Sequence, residues 1–283
     1  MSILSCGKRS LDLTQTHLMG VLNVTPDSFS DGGNFVGLDA ALVQAEQMLV
    51  EGASIIDVGG ESTRPGAARV SLQEELDRVC PVIEQLVSRF DAVVSVDTST
   101  PEVMSQSLAL GVGMINDVRA FSRPGAVDAV KKGTVALCAM HMRGEPDTMQ
   151  FAPSYSSVID EVISFLNDRV SVLSSNGILK SRIVLDPGFG FGKTLAHNLA
   201  LLGCLEKFVA LGFPVLVGMS RKSMIGEILD KSVDERVYGS LACAVLAAEK
   251  GAHIIRVHDV AATKDAVRVV DAMKRISIEN GEG

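Results

Sequence analysis

Eight times along the 283 residues, a short apolar, β-branched run ends in a polar or charged residue and a helical pattern follows. HLMGVLN ends at Asn23, and ASIIDVGG leads on to Glu61, Thr63 and Arg64. AVVSVD ends at Asp97, VGMIND at Asn116 and Asp117, and VALCAMH at His141. RIVLD ends at Asp186, PVLVGMSRK at Arg221 and Lys222, and HIIRVHD at Arg256 and His258. Nearly continuous apolar strands separated by helices are buried on both faces and lie parallel. Eight in succession predict an α/β fold of the (β/α)8 TIM-barrel type. Such a barrel uses about 250 residues as one unit, so residues 1–283 are expected to form a single domain. The strand C-termini then meet at one rim, which is where barrels carry out chemistry.

The spacing predicts helices over 38–51, 71–90, 101–110, 124–132, 155–176, 195–211, 234–250 and 261–278. Pro101 and Pro124 are placed in first turns, where a missing N–H costs nothing. Gly52, Gly111, Gly133, Gly177, Gly212 and Gly251 each stand between a helix and a strand, as helix-terminating glycines do. Residues 2–16 are expected to form a short hairpin closing the barrel floor. Residues 25–37 (TPDSFSDGGNFVG) and 62–70 (STRPGAARV) are rich in Gly, Ser and Pro, and both leave strand C-termini. They are expected to be long mobile βα loops that close over the rim.

A net charge of −8 and a pI near 5.2 leave no basic stripe for nucleic acid. No apolar run reaches the roughly 18 residues of a membrane span. The five cysteines (6, 80, 138, 204, 243) form no CxxC and cannot all pair, which predicts a reducing, cytoplasmic compartment. ILSC at residues 3–6 has neither the positive charge nor the apolar stretch of a secretory leader before it.

DPGFGFGKT (186–194) invites comparison with a phosphate-binding loop. A Walker A pattern ending at Lys193–Thr194 needs Gly at 187, where Pro187 stands. A dinucleotide fingerprint built on Gly188 and Gly190 needs a third Gly at 193, where Lys193 stands. What remains is a carboxylate at a strand end, followed by a loop that could admit a flat ligand close to its backbone.

Asp97, Asn116 and Asp186 end three strands and point toward one cavity. Two carboxylates and an amide suit either a divalent metal or a neutral heterocycle rich in N–H donors. Asp97 could also serve as a helix cap before Pro101. Lys222, Arg256 and His258 end strands seven and eight, where barrels bind phosphate. Arg64 on the second long loop could pair with an anion. His258 has a second reading as a core histidine, and His141 could simply line the cavity beside Met140 as an apolar wall. An acidic, hydrogen-bonding sector therefore faces a cationic one. A substrate with a flat polar ring at one end and phosphates at the other fits between them.

The same residues carry a family resemblance. MGVLNVTPDSFSDGG (19–33), GGESTRPG (59–66), SVDTSTPEV (95–103), INDV (115–118), MHMRGEPDTMQ (140–150), LDPGFGFGKT (185–194), GMSRKSMIG (218–226) and RVHDV (256–260) resemble dihydropteroate synthase of the bacterial monofunctional type. The likeness spans about residues 17–275, in register at every strand end. It implies a pterin-binding barrel that transfers the 7,8-dihydropterin-6-ylmethyl group from its pyrophosphate ester to 4-aminobenzoate, giving 7,8-dihydropteroate and pyrophosphate in folate biosynthesis. Asp97, Asn116, Asp186 and Lys222 would hold the pterin, with Met140 and Phe191 as walls, and Asp97 and Lys222 would act on the reacting ring. Asn23 would bind Mg²⁺ with the pyrophosphate, and Thr63, Arg256 and His258 would contact its oxygens. Phe29, Thr63, Arg64, Pro65 and Ser223 would form the aminobenzoate pocket, where sulfonamides compete. The family also implies a homodimer. Two other readings share parts of this pattern, a pterin-dependent methyltransferase and a non-catalytic pterin-binding protein. Arg256, His258 and the first loop argue against the former, and intact Asn23, Arg64 and Lys222 against the latter.

Overall fold

The computed structural model describes residues 3–24, 34–61, 70–144, 149 and 153–279. Strands β1 (Ile3–Cys6) and β2 (Arg9–Asp12) pair antiparallel as a hairpin. Eight further strands form one parallel sheet: β3 (His17–Asn23), β4 (Ile55–Gly59), β5 (Val93–Asp97), β6 (Met114–Asp117), β7 (Ala136–Met140), β8 (Ile183–Asp186), β9 (Leu216–Val217) and β10 (Ile254–Val257). Their order is β8-β7-β6-β5-β4-β3-β10-β9, and a parallel bridge between Leu185 and Val215 joins the two ends. The expected (β/α)8 barrel is present.

Period-two alternation builds two cores from these strands. Met19, Ile55, Val93, Met114, Ala136, Cys138, Val184, Leu216 and Ile254 supply residues from all eight strands to an inner cluster. Leu4, Cys6, Leu11 and Leu13 of the hairpin pack under it, so residues 3–13 close the barrel floor as expected. Leu18, Ile56, Val94, Ile115, Leu137 and Ile255 point outward into a second cluster shared with the helices. In β4, Ile55 belongs to the inner cluster and Ile56 to the outer, which places Asp57 inside the barrel above the apolar floor.

The helices are α1 (Asn34–Val50), α2 (Leu72–Arg89), α3 (Pro101–Leu110), α4 (Ala126–Val130), α5 (Val158–Ser175), α6 (Leu195–Gly203), α7 (Leu205–Val209), α8 (Ser223–Leu229), α9 (Val237–Glu249) and α10 (Val260–Glu279). Ser71 and Glu74 form a capping box that starts α2, and Pro101 opens α3 as predicted. Four expectations change. The helix expected over 195–211 breaks at Cys204, which serves as the C-cap of α6 and the N-cap of α7. Residues 223–229, which are absent from the predicted helices, form α8. Pro124 lies outside the first turn of α4, which starts at Ala126 behind Gly125. Five of the six predicted terminator glycines are left-handed, but Gly133 is not, because α4 already ends at Val130. Among the described residues, no helix is long and apolar enough to cross a membrane.

Candidate active site

Strand register brings the polar ends together. Asn23 pairs with Gly59, Gly59 with Asp97, and Asp97 with Asn116, while Met140 pairs with Asp186. Equal register on neighbouring parallel strands puts these side chains at the same rim. A Cβ on Gly59 would stand 3.7 Å from Asn23 Oδ1 and 3.8 Å from the Asp97 Cβ, so the glycine leaves a notch between them.

A network of charges lies beneath the rim. Arg256 Nε donates to Asp57 Oδ2 at 2.7 Å and its Nη2 to Asp97 Oδ2 at 3.1 Å. Asn116 Nδ2 donates to the same Asp57 oxygen at 3.1 Å. Asp57 is fully buried, whereas the Asp97 and Arg256 side chains are 12% and 22% exposed. Asn116 therefore turns its amide nitrogen inward and its oxygen toward the cavity. Burial pushes the Asp97 carboxyl from its usual 3.8 up to about 7; Arg256 opposes the rise, and the neighbouring Asp57 charge adds to it. Burial would lower Arg256, but Asp57 and Asp97 outweigh it and hold the guanidinium above its usual range.

The opposite side is built on β8 and the loop that follows it. The Asp186 carboxylate accepts the Gly188 N–H at 2.7 Å. Burial raises its pKa, against the pull of Lys222. Lys222, the N-cap of α8, donates to the Phe189 carbonyl at 2.5 Å and lies 4.6 Å from the centre of the Phe191 ring. Burial brings this ammonium down to about 8, and Asp186 restrains the fall. Met140, at the end of β7, is buried. A Cβ at Gly188 would strike the His141 carbonyl, and one at Gly192 the Arg143 carbonyl. Gly188 and Gly192 thus serve close packing against the end of β7, whereas a Cβ at Gly190 would meet the Lys222 side chain at 3.2 Å.

Most sequence-predicted residues converge here: Asn23, Asp97, Asn116, Met140, Asp186, Phe191, Lys222 and Arg256 all stand at or beside the strand ends. His258 lies just past β10, with its Nδ1 3.0 Å from Ser220 Oγ, and Ser223 opens α8, exposed. Phe29, Thr63, Arg64 and Pro65 lie outside the described residues, as does most of both long loops. The division into acidic and cationic sectors needs correction. Arg256 is locked between two acids, and Lys222 turns to the loop after β8 beside Asp186. Arg221 leaves the rim altogether, because Asp259 takes its guanidinium at 2.5 and 3.0 Å. Asp57 was missed. Its signal was a carboxylate inside an otherwise apolar buried strand, IIDVG.

Chemically, the cleft offers two carboxylates and an amide oxygen as acceptors, with buried Asp57 beneath them and cations restrained nearby. Among the described residues, no three His, Cys, Asp or Glu side chains gather to hold a metal. Mg²⁺ is commonly held by one or two protein oxygens plus substrate phosphates. The Asn23 amide oxygen beside the Gly59 notch fits such a role.

Comparison with known proteins agrees with this geometry. Residues 19–258 match the family described as "Pterin binding enzyme". The dihydropteroate synthase of Escherichia coli (strain K12) is 55% identical over 263 residues, covering 93% of each chain. A Yersinia pestis dihydropteroate synthase, described in complex with a sulfonamide drug, superposes with a TM-score of 0.92 at 49% identity, over 97% of this chain and 99% of that one. A Xanthomonas albilineans enzyme of the same name, described with 4-aminobenzoic acid, gives 0.91 at 48% identity, over 96% and 98%. The chain belongs to the pterin-binding enzyme family and, within it, to the dihydropteroate synthases.

Proposed function

We propose that the cleft joins (7,8-dihydropterin-6-yl)methyl pyrophosphate to 4-aminobenzoate, releasing 7,8-dihydropteroate and pyrophosphate, through a dissociative substitution. The reaction is that of a transferase of folate biosynthesis. The observation that carries the mechanism is the gathering of acceptors: Asp97, Asn116 and Asp186 offer oxygens to one cavity, and a pterin edge is rich in N–H donors. Charge-assisted and paired hydrogen bonds of this kind are the strong ones. Lys222 donates to the ring, while Phe191 and Met140 wall it.

The C–O bond to pyrophosphate breaks first, and the electron pair leaves with the pyrophosphate. Positive charge grows on the exocyclic methylene and spreads into the electron-rich ring. Ionised Asp97 and Asp186 favour that charge, which is the preorganised electrostatic help expected of such a site. Arg256 and His258 meet the leaving group, with Thr63 beside them. Asn23 would hold Mg²⁺, which when bound neutralises part of the pyrophosphate charge. The aromatic amine is already neutral near pH 7, attacks the methylene carbon to form the C–N bond, and releases a proton to solvent. Arg64, Pro65, Phe29, Thr63 and Ser223 form the aminobenzoate pocket when residues 25–37 and 62–70 close. By the same chemistry, sulfonamides occupy that pocket. We place the protein in the cytoplasm, as a single domain that acts as a homodimer.

The test is pyrophosphate release from the dihydropterin ester that depends on both 4-aminobenzoate and Mg²⁺. A pterin methyltransferase or a pterin carrier releases none.

A further inference from the structure

Lys193 is a buried lysine that the chemistry above does not use. It is 3% exposed. Its Nζ donates to the Gly188 carbonyl at 2.8 Å, to the Phe191 carbonyl at 3.1 Å and to His141 Nδ1 at 2.9 Å, with the His141 carbonyl at 3.4 Å. Three ammonium protons thus meet four acceptors, and none is left for a ligand. His141 is 5% exposed and packs edge-on against Phe165, with ring centres 4.9 Å apart. Burial brings Lys193 down to about 7, with Asp186 opposing the fall. Facing the protonated amine, His141 Nδ1 is the acceptor, which puts the ring proton on Nε2.

The two carbonyls that Lys193 holds belong to residues 188 and 191, which bracket the site's working parts. The Gly188 N–H is the donor to Asp186. Phe189, one residue on, supplies the carbonyl on which Lys222 leans, and the Phe191 ring lies under the Lys222 ammonium. One lysine takes the framework bonds, while the other spends a single bond on the loop and keeps protons for a ligand.

We infer that Lys193, seated on His141, is a positioning residue for the pterin subsite, setting the loop that places Phe191 and Lys222 against Asp186. The inference rests on the pterin reading of the cleft. It also gives a role to His141, as the acceptor that completes the lysine's shell. Burial, followed by the Lys193 charge, drives His141 down to about 3, so the ring stays a neutral acceptor through the physiological range.

The test compares four proteins: the unsubstituted chain, His141→Asn, His141→Leu and Lys193→Met. An asparagine oxygen can stand where Nδ1 stood, and both histidine variants lose the contact with Phe165. The pair therefore isolates the hydrogen bond. His141→Leu leaves the third proton of Lys193 only the backbone carbonyl of residue 141, at 3.4 Å. It is expected to raise the KM for dihydropterin pyrophosphate about fivefold, the equivalent of about 1 kcal/mol for one weakened hydrogen bond. His141→Asn should stay within about threefold, and the KM for 4-aminobenzoate should not move. Partial unfolding lowers kcat by removing active enzyme but leaves KM unchanged, so a purely structural role gives a different result. Should Lys193→Met fail to fold, the histidine pair still decides. Equal pterin KM values in His141→Asn and His141→Leu, whether normal or raised, overturn the positioning role. An unsubstituted protein that turns over no dihydropterin ester overturns the functional reading beneath it.

Discussion

Replacing Asp57 by Asn removes one charge from the floor of the cleft and almost no volume. The carboxylate accepts from Arg256 Nε at 2.7 Å and from Asn116 Nδ2 at 3.1 Å, both on Oδ2, while its Oδ1 has no hydrogen-bond partner among the described residues. An amide oxygen placed where Oδ2 stood can keep both bonds. The Arg256 bond keeps its cationic donor, but the Asn116 bond loses its charge assistance: hydrogen bonds to charged groups contribute about 1.5–3 kcal/mol, against about 0.5–1.5 kcal/mol for neutral ones. A difference of about 1–1.5 kcal/mol is roughly a tenfold loss in kcat/KM. The loss should be largest above pH 7.

The pH dependence follows from Asp97. Its carboxyl titrates near 7, partly because the Asp57 charge stands close by. If the ionised form binds the ring and steadies the cation, the free enzyme is about one-tenth competent at pH 6 and about nine-tenths at pH 8. Removing the Asp57 charge lowers the Asp97 pKa, so more of the variant is ionised at pH 6. The variant's deficit should therefore shrink from pH 8 to pH 6, by up to about tenfold where Asp97 becomes fully ionised. Steady-state kcat/KM for the dihydropterin ester, measured from pH 5.5 to 8.5, reads this directly. A deficit that stays constant over the range, or widens in acid, refutes the argument.

Asp186→Asn should abolish measurable pterin affinity by calorimetry, whereas Lys222→Ala should cost mainly turnover; small and equal effects would mean that the site has been misplaced. 4-Aminobenzoate should bind weakly to the protein alone and tightly only with pyrophosphate and Mg²⁺, and tight calorimetric binding without them would remove the ordered closure. Asp97→Asn should raise the melting temperature more at pH 8 than at pH 5. The folded pKa lies above the unfolded one, so this group's stability is full below about 3.8 and lost as pH rises through about 7. A gain as large at pH 5 would break that linkage.

The barrel was legible because its strands are buried on both faces, so that HLMGVLN, AVVSVD and RIVLD read as apolar runs whatever their neighbours. The polar ends were legible for a related reason: parallel strands carry their last residues to one rim. Helix limits were less so. Residues 195–211 keep one helical period through Cys204, and nothing local announces the break. Asp57 stayed hidden because a period-two reading gives its face but not its partners. Arg256 reaches it from β10, 199 positions along the chain. Long-range ion pairing of this kind also undid the division of the rim into two charged sectors. A strand-end cation shows which strand it leaves, and only the fold shows which acid it meets.

The loop over residues 187–193 bears out this point. Its composition resembles that of loops that cradle phosphate, which work by presenting free backbone N–H groups. Here three of those donors are spent inside. Gly188 N–H goes to Asp186 at 2.7 Å, Gly190 N–H to Asn198 Oδ1 at 2.8 Å and Phe191 N–H to the Gly188 carbonyl at 3.2 Å. The carbonyls take cations instead: Phe189 holds Lys222, and Gly188 and Phe191 hold Lys193. Carbonyls placed in this way steady ammonium groups. On the function proposed above, the pyrophosphate end lies toward Arg256, His258 and Asn23. The ring then lies on the side where Asp186 and Lys222 stand, in keeping with the ammonium groups that the carbonyls of this glycine-rich loop hold.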